Sequence, residues 1–169
     1  MILIDSDLVH PLVCNELINI FERNHHLQGR YNGSIIVDLN NIQGEDRITV
    51  KRAATIIERS ISKTFGTMFI EYAQIVLWTP GSCMDMHYDN GRKSTNLVSI
   101  TNLNDNYTGG ETYIDQENIT IIPKTGKTVA FDGMKYLHRV NEVISNYRYT
   151  LIMWYTRDIS QAITTDFNL

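Results

Sequence analysis

The first third of the chain carries apolar residues at helical spacing, and the remainder carries them in short strand-like runs. After His10-Pro11, the residues Val13, Leu17, Ile20 and Phe21 share one helical face, and Pro11 fits the first turn of a helix. A second helix is predicted from Asp46 to Phe65, where Val50, Ala53, Ala54, Ile57 and Ile61 keep the same period and Gly66 supplies the stop. Between the helices, residues Gly29 to Gly44 read as an irregular, Gly- and Asn-containing segment around a short strand, Ser34–Leu39. Beyond Gly66 the pattern predicts strands at Phe69–Trp78, Met84–Tyr88, Asn96–Leu103, Glu111–Ile114, Ile119–Ile122, Thr128–Phe131, Leu137–Val143 and Tyr147–Tyr155. Short strands punctuated by Gly, Pro, Asn and Asp describe a sandwich or barrel. The expected architecture is α+β: a double-stranded β-helix (jelly-roll) core with the N-terminal helices packed on one sheet, all within a single domain, 1–169.

Composition narrows the field of functions. Hydrophobic residues at 43% and charged residues at 20% are enough for one sizeable core. The net charge of −4, with no basic tail or stripe, makes nucleic acid an unlikely partner, because such binding rests on neutralising phosphates. The chain has no long apolar run, so no membrane span is expected, and the opening residues MILIDSDL lack the basic region of a cleaved signal. Two cysteines, Cys14 and Cys83, are too few for a disulfide scaffold, and Cys83 is expected to be a small buried residue. A soluble domain of a reducing compartment is the expectation from these features. Abundant Ile and Asn with little Ala suit an AT-rich genome, so the cytoplasm of a bacterium or of a virus-infected cell is the expected location.

The run Met84-Asp85-Met86-His87-Tyr88-Asp89 alternates apolar and polar positions. Residues two apart in a strand project the same way, about 6.6 Å from one another. His87 and Asp89, with Asp85 behind them, are therefore expected on one face, and Met84, Met86 and Tyr88 on the other. His138, in a later strand, is the remaining histidine suited to join them, since His10, His25 and His26 fall at the ends of the first helix. Two histidines and one carboxylate on one side of a metal form the facial triad of non-haem Fe(II) oxygenases. Ten residues past His138, Arg148 opens the apolar strand RYTLIMWYT. A guanidinium in such a run needs an anionic partner or a route to water. Two partners fit: one of the chain's own acids, or the distal carboxylate of a small dicarboxylate bound to the metal.

The ordered set of these residues resembles the Fe(II)/2-oxoglutarate-dependent dioxygenases of the prolyl 4-hydroxylase branch. The match runs from Ile75 to Tyr155. It includes Pro80-Gly81 before the His-x-Asp strand, Leu103-Asn104-Asp105, Gly109-Gly110-Glu111-Thr112, Pro123-Lys124-x-Gly126, Ala130-Phe131, and Arg148-Tyr149 with Trp154-Tyr155. The resemblance implies Fe(II) held by His87, Asp89 and His138. It also implies 2-oxoglutarate as co-substrate, paired with Arg148, and ascorbate as an accessory reductant. The implied reaction is hydroxylation of a prolyl residue in a peptide or protein, with release of succinate and CO2. A free amino acid or other small molecule is an alternative substrate. A nucleobase is disfavoured, because that branch carries a second Arg six residues past the first, where Trp154 stands here. A non-catalytic, cupin-like metal binder would not need Arg148.

Two positions depart from the pattern. Many relatives have tyrosine nine residues before the first histidine, where this chain has Trp78, and another near the end of the next strand, where it has Asn102 or Thr101. An indole N–H donates a hydrogen bond but cannot accept one. The co-substrate anchor is therefore expected to be rebuilt from Thr150, Asn102 or Thr101. Tyr107, Tyr136 and Tyr147 are expected at the barrel rim, and Arg92 and Lys93 on the surface near the substrate. Residues Gly29 to Gly44 resemble, in placement, the substrate-covering loop of prolyl hydroxylases. They are expected to form a mobile flap, with an ordinary surface hairpin as the alternative.

Overall fold

The computed structural model describes residues 1–89 and 94–163; Arg92 and Lys93 lie outside them. Strand β1 (Ile2–Asp5) precedes helix α1 (Pro11–Arg23), the hairpin β2 (Gly29–Tyr31) and β3 (Ser34–Asp38), and helix α2 (Gly44–Phe65). The strands that follow are β4 (Phe69–Trp78), β5 (Met84–His87), β6 (Leu97–Asn102), β7 (Thr108–Gly109), β8 (Thr112–Ile114) and β9 (Ile119–Ile121). The last four are β10 (Thr128–Phe131), β11 (His138–Val140), β12 (Val143–Ser145) and β13 (Arg148–Thr156). No described helix is long and apolar enough to cross a membrane.

Both helices form for the reasons the pattern gives. Pro11 occupies the first turn of α1, where a missing N–H costs no hydrogen bond, and His10 Nδ1 accepts from the Leu12 N–H at 3.2 Å. Cys14, Leu17, Ile20 and Phe21 are its buried face. Helix α2 begins two residues earlier than expected, with Glu45 and Asp46 at its positive end and Lys63 near its negative end. Val50, Ala53, Ala54, Ile57 and Ile61 are buried as predicted. Arg23 ties the two helices together through Asp46, with Nε–Oδ2 at 3.0 Å.

The strands form a seven-stranded sheet in the order β1-β10-β6-β13-β4-β3-β2 and a four-stranded sheet in the order β5-β11-β8-β9, with β12 pairing β7 separately. This is the α+β jelly-roll architecture with the helices on one sheet. Alternation along β13 divides the large sheet into two faces. Tyr149, Leu151, Met153 and Tyr155 join the core shared with the helices, whereas Ile152 and Trp154 face the core between the two sheets. Arg148 and Thr150 are in phase with Ile152 and Trp154. The Tyr149 hydroxyl donates to Glu22 Oε1 at 2.6 Å, and its ring meets Phe21 edge-on at 5.8 Å, so β13 is fastened to α1 at the Arg148 end.

Three expectations are revised. The expected Leu137–Val143 strand is two elements, β11 and β12, because the chain leaves the four-stranded sheet after Val140 to pair with β7. Strand β1 is additional, paired with β10 through Ile2↔Phe131 to Asp5↔Thr128. The Gly29–Gly44 flap is mostly sheet and core. Strand β3 pairs with β4 from Ile35↔Leu77 to Asp38↔Gln74, and Val37, Leu39 and Ile42 are completely buried. Only β2 is exposed along its length, and the Asn32-Gly33 turn touches β5 through Asn32 Nδ2 to Met84 Sδ at 3.6 Å.

The division of this segment can be measured. Leu39→Ala should cost about 2–5 kcal/mol in denaturant unfolding, whereas Tyr31→Ala should stay within about 0.5 kcal/mol. Equal, small effects at both positions would mean that residues 34–42 are a loose cover rather than core.

Candidate active site

His87 and His138 come from neighbouring strands and are direct Cα partners across the β5–β11 pair. Val140 pairs with Met84, so the four residues Met84–His87 of β5 answer the three residues His138–Val140 of β11, and a bulge interrupts the alternation. Met84 therefore packs against the inter-sheet core, on the side where alternation would not put it, and Asp85 is exposed. The two imidazoles lie 4.2 Å apart between centroids, and Phe131 meets the His138 ring edge-on at 4.8 Å.

Each ring is oriented by a backbone carbonyl two residues earlier. His87 Nδ1 lies 2.7 Å from the Asp85 carbonyl oxygen, and His138 Nδ1 lies 2.9 Å from that of Tyr136. A carbonyl can only accept, so Nδ1 carries the proton in both neutral rings and Nε2 keeps its lone pair. Both Nε2 atoms turn toward Asp89, at 3.7 Å from Oδ1 for His87 and 3.7 Å from Oδ2 for His138. One donor atom from each of the three residues lies within 4.8 Å of the others. Asp89 Oδ2 is buried without a hydrogen-bond partner. Burial raises the Asp89 carboxyl above the usual carboxylate range, against the pull of the two histidines. Burial also holds His138 below its ordinary value, favouring the neutral ring that can ligate. Two aligned imidazole lone pairs and an unsatisfied buried carboxylate oxygen fit a divalent cation.

Asp89 lies beyond the end of β5 and is set by a contact that sequence reasoning missed. Its N–H donates to the Gly133 carbonyl at 2.9 Å. A Cβ at residue 133 would stand 2.6 Å from Asp89 Oδ2 and 2.8 Å from Asp89 Cβ. The turn is held by Asp132, whose Oδ1 accepts from the Met134 N–H at 3.0 Å. Only a residue without a side chain lets the turn close over the carboxylate.

Arg148 is 1% exposed. Its Nη2 donates to Thr112 Oγ1 at 3.3 Å, its Nε and Nη1 have no partner, and it forms no ion pair among the described residues. The ion pair with one of the chain's own acids, allowed by the sequence, is not formed. Burial pulls the guanidinium below its usual value, opposed by the neighbouring Tyr107 and Glu111. The Trp78 ring lies beneath it, 5.4 Å from Cζ to the centroid. The Trp78 indole N–H donates to Thr150 Oγ1 at 3.3 Å.

Thr150 and Asn102 are Cα partners in the middle of the sheet, both buried, and lie on the Arg148 side. Thr101 points the other way and bonds Thr128 Oγ1 at 2.8 Å, so it lines no pocket with Arg148. Tyr107 is not a rim residue: it is buried, and its hydroxyl donates to Asn102 Oδ1 at 3.4 Å. Tyr147 is exposed, and the Tyr136 hydroxyl accepts from the Met1 ammonium at 2.7 Å. Cys83 is exposed rather than buried.

Comparison with known proteins agrees with this geometry. The family model of the 2OG-Fe(II) oxygenase superfamily matches residues 67–156, just over half of the chain. No curated protein matches. Among solved structures, the viral collagen prolyl hydroxylase of Paramecium Bursaria Chlorella virus-1, in its 2OG complex, is 18% identical. Its TM-score is 0.70, with 92% of this chain and 94% of that chain covered. The Pseudomonas putida prolyl-4-hydroxylase is 16% identical, with 93% and 92% covered and a TM-score of 0.76. The Trichoplax adhaerens prolyl hydroxylase, in complex with a hypoxia inducible factor oxygen degradation domain peptide fragment, is 15% identical, with 95% and 84% covered and a TM-score of 0.78. Those three share the fold; the match over residues 67–156 goes further, and the chain belongs to the 2OG-Fe(II) oxygenase superfamily.

Proposed function

We propose that the protein hydroxylates a prolyl residue in a peptide or protein, with one domain spanning 1–169 holding Fe(II) and 2-oxoglutarate. The observation that carries this reading is a pair of unsatisfied buried charges inside one jelly roll: Asp89 Oδ2 and the Arg148 guanidinium. One fits a divalent cation and the other a carboxylate, and an Fe(II)/2-oxo-acid system brings both. The prolyl substrate rests on the structural likeness to prolyl hydroxylases, one of them bound to a peptide. Free cysteines at Cys14 and Cys83 support a reducing cytoplasm as the location.

In this reading His87, Asp89 and His138 ligate iron through Nε2, a carboxylate oxygen and Nε2. When bound, iron and 2-oxoglutarate supply the oxidation, in which O2 is split between the substrate hydroxyl and succinate as CO2 leaves. The protein's part is orientation and exclusion of water. The Asp85 and Tyr136 carbonyls fix the imidazole tautomers, so both rings are ready to ligate without rotating. Arg148 offers Nε and Nη1 as a planar fork, and burial strengthens its attraction for a carboxylate. Val76, Val98, Ile100, Val129 and Ile152 make the surrounding wall apolar, which keeps water from competing for both charges. Ascorbate belongs to the proposal only as a further cofactor.

Four outcomes test this reading. Anaerobic titration with Mn(II) should show one site, which His138→Ala abolishes; undiminished binding in that variant would remove the ligand assignment. Arg148→Met should keep the Mn(II) site and weaken 2-oxoglutarate at least about tenfold, since a hydrogen bond to a charged group contributes about 1.5–3 kcal/mol. Gly133→Ala should raise the Mn(II) dissociation constant roughly 10–100-fold while the urea midpoint changes little. An unaltered constant there would mean that the turn does not position Asp89. Turnover itself is read by mass spectrometry of a proline-containing peptide library, where a gain of one oxygen coupled to succinate is the expected product.

A further inference from the structure

Among the polar groups around Arg148, the Tyr107 hydroxyl has no role in the reading so far. Trp78 spends its single polar hydrogen on Thr150, and Thr112 already accepts from Arg148 Nη2. Asn102 carries an amide and no hydroxyl. Tyr107 enters from outside the large sheet, just before β7, and is 7% exposed. Its oxygen reaches Asn102 Oδ1 at 3.4 Å, at the long end of hydrogen-bond geometry.

Gly110 explains how this tyrosine and the arginine come together. Its φ is +68°, and a Cβ there would meet Arg148 Cδ at 3.0 Å, Val143 Cγ2 at 2.9 Å and Tyr107 Cε2 at 3.4 Å. The bare backbone is thus packed between the stems of Tyr107 and Arg148, and both polar ends converge beyond it. Burial raises the Tyr107 phenol, and the guanidinium opposes that rise, so the group is a neutral O–H donor at physiological pH. The phenol oxygen also lies beside the Arg148 guanidinium, and a hydroxyl whose proton is held only by a long bond to a neutral amide can exchange that bond for a shorter, charge-assisted one to a carboxylate.

We propose that Tyr107 binds the co-substrate: its hydroxyl turns from Asn102 to donate to the far carboxylate of 2-oxoglutarate beside Arg148, and Asn102 is the positioning residue that keeps the phenol aimed there. This rests on the reading of Arg148 as the anchor of that carboxylate. The site then offers three donors to the distal group, Arg148 Nε, Arg148 Nη1 and the Tyr107 hydroxyl, which selects a dicarboxylic 2-oxo acid over a monocarboxylic one.

The test is calorimetric titration of Mn(II)-loaded protein under anaerobic conditions, with 2-oxoglutarate and with 2-oxobutyrate, which lacks the far carboxylate. Tyr107→Phe keeps the ring and its packing. It should weaken 2-oxoglutarate about tenfold, leave 2-oxobutyrate within about twofold, and leave Mn(II) affinity and the thermal midpoint unchanged. Asn102→Ala should weaken 2-oxoglutarate less, and should add nothing in the Tyr107→Phe background. Wild-type affinity for 2-oxoglutarate in Tyr107→Phe, or an equal loss for both acids, would overturn the proposal. If Arg148→Met also bound 2-oxoglutarate normally, the anchor reading would fall with it. If Arg148→Met lost binding while Tyr107→Phe kept it, only the tyrosine assignment would fall.

Discussion

A guanidinium almost wholly removed from water, with two nitrogens unpaired, is the constraint around which this molecule is organised. Burying an uncompensated charge costs several kcal/mol, and the surrounding structure must hold it in place without collapsing or admitting water. Strand β13 does this from the middle of the large sheet, paired with β4 on one side and β6 on the other. Immediately after Arg148, Tyr149 turns to the opposite face, bonds Glu22 and packs on Phe21. Helix α1 thereby anchors the strand that carries Arg148.

The same arrangement separates the two halves of the site by sheet. The large sheet presents Arg148, Thr150, Asn102 and Trp78, with Trp78 against both Arg148 and Thr150. The four-stranded sheet presents His87 and His138, with Asp89 just past the end of β5. The two sets meet across an apolar core, so under the proposed function the same packing that stabilises the fold would also set the positions of a metal and of the far end of a keto acid. The glycines at 110 and 133 mark where this packing is tightest against functional side chains.

Much of this was readable in the chain itself, for physical reasons that also explain the failures. The His-x-Asp pair and Arg148 stand out because charged groups in apolar, strand-periodic runs need a partner. The helices follow from one period and ordinary terminal signals. Alternation went wrong at Met84 because a bulge changes the phase by one residue, and bulges leave no mark in the local pattern. Thr101 and Asn102 are neighbours that face opposite ways. Their choice is decided by the pairing of Asn102 with Thr150, a non-local fact. The Gly29–Gly44 segment reads as a flap around one short strand because Gly and Asn mark its turns; the strand is there as β3, but Val37, Leu39 and Ile42 are core. Tyr107 and Gly133 lie outside periodic elements, where spacing says nothing about direction.

The central claim, that the buried charges of Arg148 and Asp89 are answered by a dicarboxylic keto acid and a metal in one pocket, is tested most directly by a crystal structure of the protein grown anaerobically with Mn(II) and 2-oxoglutarate. The account predicts Mn(II) bonded to His87, Asp89 and His138, and the far carboxylate about 2.7–2.9 Å from Arg148 Nε and Nη1. A keto acid bound elsewhere, with Arg148 turned to one of the chain's own carboxylates, would contradict it.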